Sequence, residues 1–210
     1  MARLTAILAF TLTCASSYVS GQAPAPADPA QAFDDARKLY DAGQYQQVVA
    51  ATAPAADPRL IFLRAQSHQK ISQATEARQA YEQLAARPES ETDAWREIGR
   101  SALAVLGQDT PGAVASANQA VARNPSLPEA YFQQGMALSA AQDMTGASTA
   151  FQKAADLDPN WAYAHFYAGL AYSKVKRIDL TAQHFQTFLR LAPQAPERGE
   201  VQSIMKTLNR

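Results

Sequence analysis

The stretch AYFQQGMALSAAQDMTGASTAFQKAADLDP, Ala130 to Pro159, is written almost again as AHFYAGLAYSKVKRIDLTAQHFQTFLRLAP, Ala164 to Pro193. The shift is 34 residues, and Ala, Phe, Gly, Ala, Ser, Phe, Gln, Leu and Pro fall at matching places. In the first copy, apolar residues recur at helical spacing from about Pro128 to Ala141, QDMTG turns the chain, and the spacing resumes from about Thr145 to Leu157. Pro159 closes the unit, because proline lacks an amide donor and disfavours helix in the residue before it. Pro193, Pro125 and Pro88 punctuate the chain in the same way. The chain is rich in alanine and glutamine and shows no strand-like alternation, so helix is expected throughout. Gly135 and Gly169 stand in mid-helix, where glycine costs ~1 kcal/mol relative to alanine. A neighbouring helix is therefore expected to cross too closely for a side chain. Ala147, Phe151 and Ala154, with Phe185 and Phe188 in the second copy, supply the interlocking face. Each helix pair leaves an apolar flank that the next pair covers.

Outward from the repeat, the 210-residue chain opens with MARLTAILAFTLTCASSYVSGQ. One positive residue, Arg3, precedes an apolar run from Leu4 to Leu12 and then small polar residues, the layout of a secretory signal peptide over residues 1–21. The run is shorter than the ~20 residues a membrane span needs. Cleavage after Gly21 would make Gln22 the first mature residue, followed by an Ala/Pro linker over 22–28. The expected location is periplasmic or secreted, with no membrane span in the mature chain. Cys14 is the one cysteine. A lipid-bearing cysteine wants Gly, Ala or Ser before it and Leu three before, where this chain has Thr13 and Thr11. Lipidation, and with it an outer-membrane lipoprotein, is the lesser alternative to loss of Cys14 with the leader. The mature chain then has no thiol for a disulfide, a zinc–thiolate site or a nucleophile. Lys plus Arg number 19 and Asp plus Glu 19. Nothing concentrates the positive charge that phosphate backbones require, so nucleic acid is not expected as a partner.

The unit resembles the tetratricopeptide repeat (TPR) family. Counted from Pro128, the family's bulky, small, small, aromatic, Ala and Pro places hold Tyr131, Gly135, Ala147, Phe151, Ala154 and Pro159. Counted from Ala162 they hold His165, Gly169, Thr181, Phe185, Phe188 and Pro193, with His165 and Thr181 as departures. Weaker copies start at Pro58 (Ile61, Ala65, Ala77, Tyr81, Leu84, Pro88) and at Ala94 (Ser101, Ala113, Ala120, Pro125, with Ala117 in the aromatic place). The most degenerate starts near Pro29 and is cut short by Pro54. The expected class is all-α, a TPR α-solenoid of about five helix-turn-helix repeats at 29–57, 58–91, 92–127, 128–161 and 162–195. A capping helix over 196–210 would present Val201, Ile204, Met205 and Leu208.

The resemblance implies a concave inner wall lined by the first helix of each unit. Its fifth place reads Phe33, Phe62, Ile98, Phe132 and Phe166, with Tyr40, Trp95, Met136, Tyr163, Tyr167 and Leu170 at other inward places. Two readings stand: a ladder that packs adjacent first helices together, or a groove for apolar side chains of a partner segment. Inward charges are Asp34, Arg37, Arg59, Lys70, Glu129 and Lys174. The family's clamp for a chaperone's C-terminal carboxylate needs lysine at the fifth place and asparagine at the ninth, and this chain has neither.

No phosphate-cradling, nucleophile-elbow or His-Glu-x-x-His motif occurs. His68, His165 and His184 are the histidines, and the last two lie on paired helices of one unit; two histidines do not make a closed zinc site. Lys174, Lys176 and Arg177 read as a solvated turn. No catalytic residue, metal or cofactor is expected. The chain reads as an adaptor or scaffold for a protein or peptide partner. A lipid-anchored outer-membrane or pilus assembly factor is one alternative, and an enzyme with an unrecognised deep pocket another.

Overall fold

The computed structural model describes residues 28–208; the expected leader, residues 22–27 of the linker, and Cys14 lie outside the described residues. Five helix pairs follow one another: α1 (Pro29–Asp41) with α2 (Tyr45–Thr52), α3 (Pro58–Lys70) with α4 (Ala74–Ala85), and α5 (Trp95–Leu106) with α6 (Thr110–Arg123). Then come α7 (Pro128–Ala140) with α8 (Met144–Leu157), α9 (Ala162–Lys174) with α10 (Ile178–Leu191), and a single α11 (Arg198–Leu208). Four of the helix starts carry a side chain that satisfies a free amide. Asp28 Oδ1 accepts from the Ala30 amide at 3.0 Å, Asp57 from Arg59 at 2.9 Å, Asp109 from Gly112 at 3.1 Å and Asp143 from Gly146 at 2.9 Å. Proline stands in the first turn of α1, α3, α6 and α7, where its missing amide costs nothing.

The backbone repeats as faithfully as the side chains. Every first helix ends on a left-handed residue: Gly43, Ser72, Gln108, Gln142 and Lys176, with φ between 59° and 75°. The next amide then bonds back across the last turn: Gln44 to the Leu39 carbonyl, Gln73 to His68, Asp109 to Ala104, Asp143 to Leu138 and Arg177 to Tyr172, all at 2.9 to 3.0 Å. Four of the five are not glycine, and a left-handed L-residue costs ~1–2 kcal/mol. Gln142→Gly removes that strain and adds ~0.4–1 kcal/mol of unfolded-chain entropy. The net is a gain of about 0.5 kcal/mol, read as a higher urea midpoint at unchanged slope.

Inside the units, a Cβ on Gly135 would lie 2.6 Å from Cδ1 of Phe151, and one on Gly169 would lie 2.5 Å from Cδ1 of Phe185. The notch therefore receives the ring of the paired helix, not helix backbone. Backbone approach of the expected kind occurs at Gly99, where a Cβ would be 2.5 Å from the Ala85 nitrogen at the end of α4. Between units each second helix packs on the next first helix, α4 on α5, α6 on α7 and α8 on α9, while α5 also touches α7 directly. At the far end α11 covers α10, with Val201 fully buried and Ile204 and Met205 packed on the core.

The curl is tight enough for rings two units apart to meet. Phe62 of α3 lies 6.3 Å from Phe132 of α7, centroid to centroid, and 5.9 Å from Trp95. Phe132 also stacks on Trp161 at 4.5 Å and meets Phe151 and Tyr167 edge-on at 5.5 and 5.4 Å. The second unit is thereby brought against the fourth.

Candidate functional site

The inner wall is the surface on which the expected site residues fall. Phe62, Trp95, Ile98, Phe132, Tyr163 and Phe166 are buried, with no more than 8% of their surface exposed. At these six places the ladder packs helices together, because the curl fills the hollow with the chain's own side chains. Phe33, Met136, Tyr167 and Leu170 keep part of their surface. Phe33 is flanked by the guanidinium groups of Arg37 and Arg59, 5.8 and 4.9 Å from its ring centre.

The first two units close on the turn before α9, on α9 and on the segment before α11 through a polar seam. Arg37 forms an ion pair with Asp158, at the turn between α8 and α9. The ring of Tyr40 meets that of Tyr163 edge-on at 4.8 Å. Tyr163 donates its hydroxyl to Glu197 Oε2 at 2.7 Å and so accepts from the Tyr45 hydroxyl at 2.9 Å. Lys70 Nζ donates to Glu197 Oε1 at 2.6 Å and lies 4.9 Å from the Tyr163 ring centre. Gly43 sits so near Pro196 that a Cβ would come within 2.7 Å of the proline ring. The inward charges Arg37 and Lys70 are thus consumed by the chain itself.

Electrostatics at the seam pull in two directions. Burial opposes the Glu197 charge, but hydrogen bonds from Lys70 and Tyr163 outweigh it and hold this carboxyl below its usual range. Burial also opposes the Lys70 charge, and the nearby Tyr167 and Glu197 more than restore it. Asp41 and Glu129 are in the opposite state. Burial pushes Asp41 up to about 7, against Arg37 and with help from Asp158. Burial pushes Glu129 up to about 7 as well, with Asp158 adding and its own backbone amide, Arg59 and Arg37 subtracting. Asp41 Oδ1 and Glu129 Oε2 are buried with no hydrogen-bond partner among the described residues.

Between the seam and α7 a cavity of about 230 Å³ remains, lined by Tyr40, Gln66, Gln69, Lys70, Phe132, Met136 and Tyr167. A narrow extension past Gln66, Gln69 and Met136 runs toward Tyr81 and Gln133. The lining sets amide and phenol groups and one ammonium against a Phe and a Met. Burial raises both Tyr40 and Tyr167 above the ordinary phenol range, so neither supplies a base at neutral pH.

His165 and His184 do meet: their Nδ1 atoms are 3.0 Å apart. Gln152 donates its amide to Asp156, which leaves its Oε1 to accept from His184 Nε2 at 2.7 Å. One of the two Nδ1 atoms donates to the other, and His165 Nε2 lies 3.2 Å from the Pro159 carbonyl oxygen. Burial lowers both groups, His184 to about 4 with His165 adding to the effect, so the pair is neutral at pH 7. Among the described residues no group of three His, Cys, Asp or Glu is placed to hold a metal. Lys174, Lys176 and Arg177 are all exposed, and Arg177 pairs with Asp179 at 3.0 Å.

Sequence reasoning missed Asp41, Tyr45, Pro196 and Glu197, and the partner of Asp158. None sits at a repeat-defining place, so periodicity carries no signal for them. A glycine at 43, where the other four turns carry Ser72, Gln108, Gln142 and Lys176, is the one sign in the sequence of a close approach.

The family model described as Tetratricopeptide repeat matches residues 62–128, 107–162 and 132–196. No curated protein matches the chain. Among solved structures, a thermophilic TPR protein of Thermus thermophilus is similar at 16% identity and a TM-score of 0.58, covering 85% of this chain and 97% of that one. The "Arabidopsis OM64 TPR domain" is similar at 19% identity and a TM-score of 0.52, covering 56% of this chain and 97% of that one. Repeat residues, five helix pairs, five identical turns and the matched model agree: the chain belongs to the tetratricopeptide repeat family.

Proposed function

We propose that this chain is a non-catalytic scaffold that holds a segment of another protein on its inner wall, and that it works outside the cytoplasm. The carrying observation is the cavity beside Met136 and Tyr167, an amphipathic hollow inside a repeat array. Such a surface is preformed, so little ordering cost falls on the array when a segment docks. Its amides and hydroxyls suit a polypeptide backbone, while Phe132 and Met136 suit an apolar side chain. Against catalysis stands the state of the titratable groups: Lys70 is neutralised by Glu197, and the phenols are held protonated. The leader-like pattern of Arg3 and Leu4 to Leu12 supports export.

The test is capture from periplasmic and secreted fractions with the full chain and with Met136→Arg. Met136 keeps part of its surface, so the change alters the wall more than the core. The expected result is at least tenfold less partner recovered by the variant at unchanged helix content. Equal recovery overturns the proposal. Phe132 and Phe166 are unsuited to this test, because both are buried and their removal reports on folding.

A further inference from the structure

We propose that α1 is a ligand supplied by the chain to its own inner wall, and that it competes there with an amphipathic helix carrying the same face. This rests on the reading of the inner wall as a binding surface and names the partner chemistry that fits it.

Three observations carry it. First, α1 reaches residues more than a hundred positions away: Arg37 on Asp158 and Tyr40 on Tyr163, while the turn after it packs Gly43 on Pro196. Tyr40 also lines the cavity opposite Met136 and Tyr167, so α1 stands where a guest would stand. Second, the joint carries charge: Arg37 of α1 pairs with Asp158 across it. The Tyr45 and Tyr163 hydroxyls also meet across it, and among the described residues two buried carboxylate oxygens beside it, on Asp41 and Glu129, have no hydrogen-bond partner. Separation hydrates those oxygens and both charges of the Arg37–Asp158 pair, whereas separating Phe132 from Trp161 would hydrate rings. Third, the face is specific. Phe33, Ala36, Arg37 and Tyr40 recur at i, i+3, i+4 and i+7, one stripe of a helix. The wall answers with Asp158 for the cation and Tyr163 for the ring. A competing helix therefore needs an arginine between an aromatic and a tyrosine at that spacing.

The probe is a labelled peptide with the sequence of residues 28–53, titrated by fluorescence anisotropy into the full chain and into Arg37→Ala. The variant weakens the resident helix and leaves the wall intact. Apparent affinity scales with the fraction of chains whose wall is free, so the variant is expected to bind at least tenfold more tightly than the unaltered chain. A peptide carrying Arg37→Glu is expected not to bind. Equal binding by both chains, or equal binding of both peptides, overturns the proposal. Should the variant fail to fold, amide hydrogen exchange on the unaltered chain decides. Exchange in α1 and α2 at least tenfold faster than in α7 to α9 supports it, and uniform protection overturns it. Peptide binding with no effect of Met136→Arg on partner capture would leave the self-ligand standing and remove the outside partner.

Discussion

Phe132→Ala is expected to cost about 3–5 kcal/mol, the range for a buried Phe reduced to Ala. Phe132 is 2% exposed and touches four other rings, those of Phe62, Phe151, Trp161 and Tyr167. These come from the second unit, its own unit, the turn into α9 and the fifth unit, so no single neighbour can move in to fill the space. The loss is comparable with the whole stability of many domains, about 5–15 kcal/mol. In a thermal scan it should lower the midpoint by about 10 °C, at roughly 2–4 °C per kcal/mol for a chain of this size. Tyr131→Ala, one position away but only half-buried, serves as the control. A loss below about 1 kcal/mol for Phe132→Ala would show that the ring cluster does not tie the units together.

Glu129→Gln is expected to stabilise the chain at pH 8.5 and to change little at pH 4. The Glu129 carboxyl is raised from 4.5 to about 7 in the folded chain, burial being the largest cause. A raised carboxyl contributes stability that is complete below its unfolded value and is lost as pH rises through its folded value. At 1.36 kcal/mol per pH unit the ceiling is about 3 kcal/mol. Gln mimics the protonated acid and forfeits none of that on alkalinisation, so the variant should exceed the unaltered chain by about 2 kcal/mol at pH 8.5. Asp41 acts in the same sense. Glu197 acts in the opposite sense: its carboxyl is lowered, so its contribution is present above the ordinary glutamate range and is lost on acidification. Stability should therefore peak in mildly acidic solution. Urea midpoints at pH 4, 6 and 8.5 for both chains measure the effect, and parallel curves would refute it.

The repeat was legible because it is local. Pro159 and Pro193 end helices through their own covalent geometry, and Gly135 and Gly169 announce a notch wherever they stand in mid-helix. Even there the sequence did not say what fills the notch; Phe151 and Phe185 do, within the unit, while the true backbone crossing falls at Gly99. The site was less legible because it depends on accumulated curvature. Nothing in the spacing of Tyr45 and Tyr163 tells that their hydroxyls lie 2.9 Å apart. Arg37 and Lys70 stood out as rare inward charges, but their partners, Asp158 and Glu197, lie at a helix end and beyond the last repeat. The eleven inward residues were identified from place within the unit, and place does not distinguish Phe132, which the curl buries, from Met136, which it leaves half-open.

The abutment of Gly43 on Pro196 sets how many modules this architecture can hold. An open solenoid lengthens freely by tandem duplication, since each newcomer meets only its neighbours. Here a sixth hairpin inserted between them would carry Pro196 beyond the reach of Gly43 and Glu197 beyond that of Lys70. A lineage that keeps the ends joined is therefore confined to five, and one that duplicates a hairpin gives up the joint in the same event.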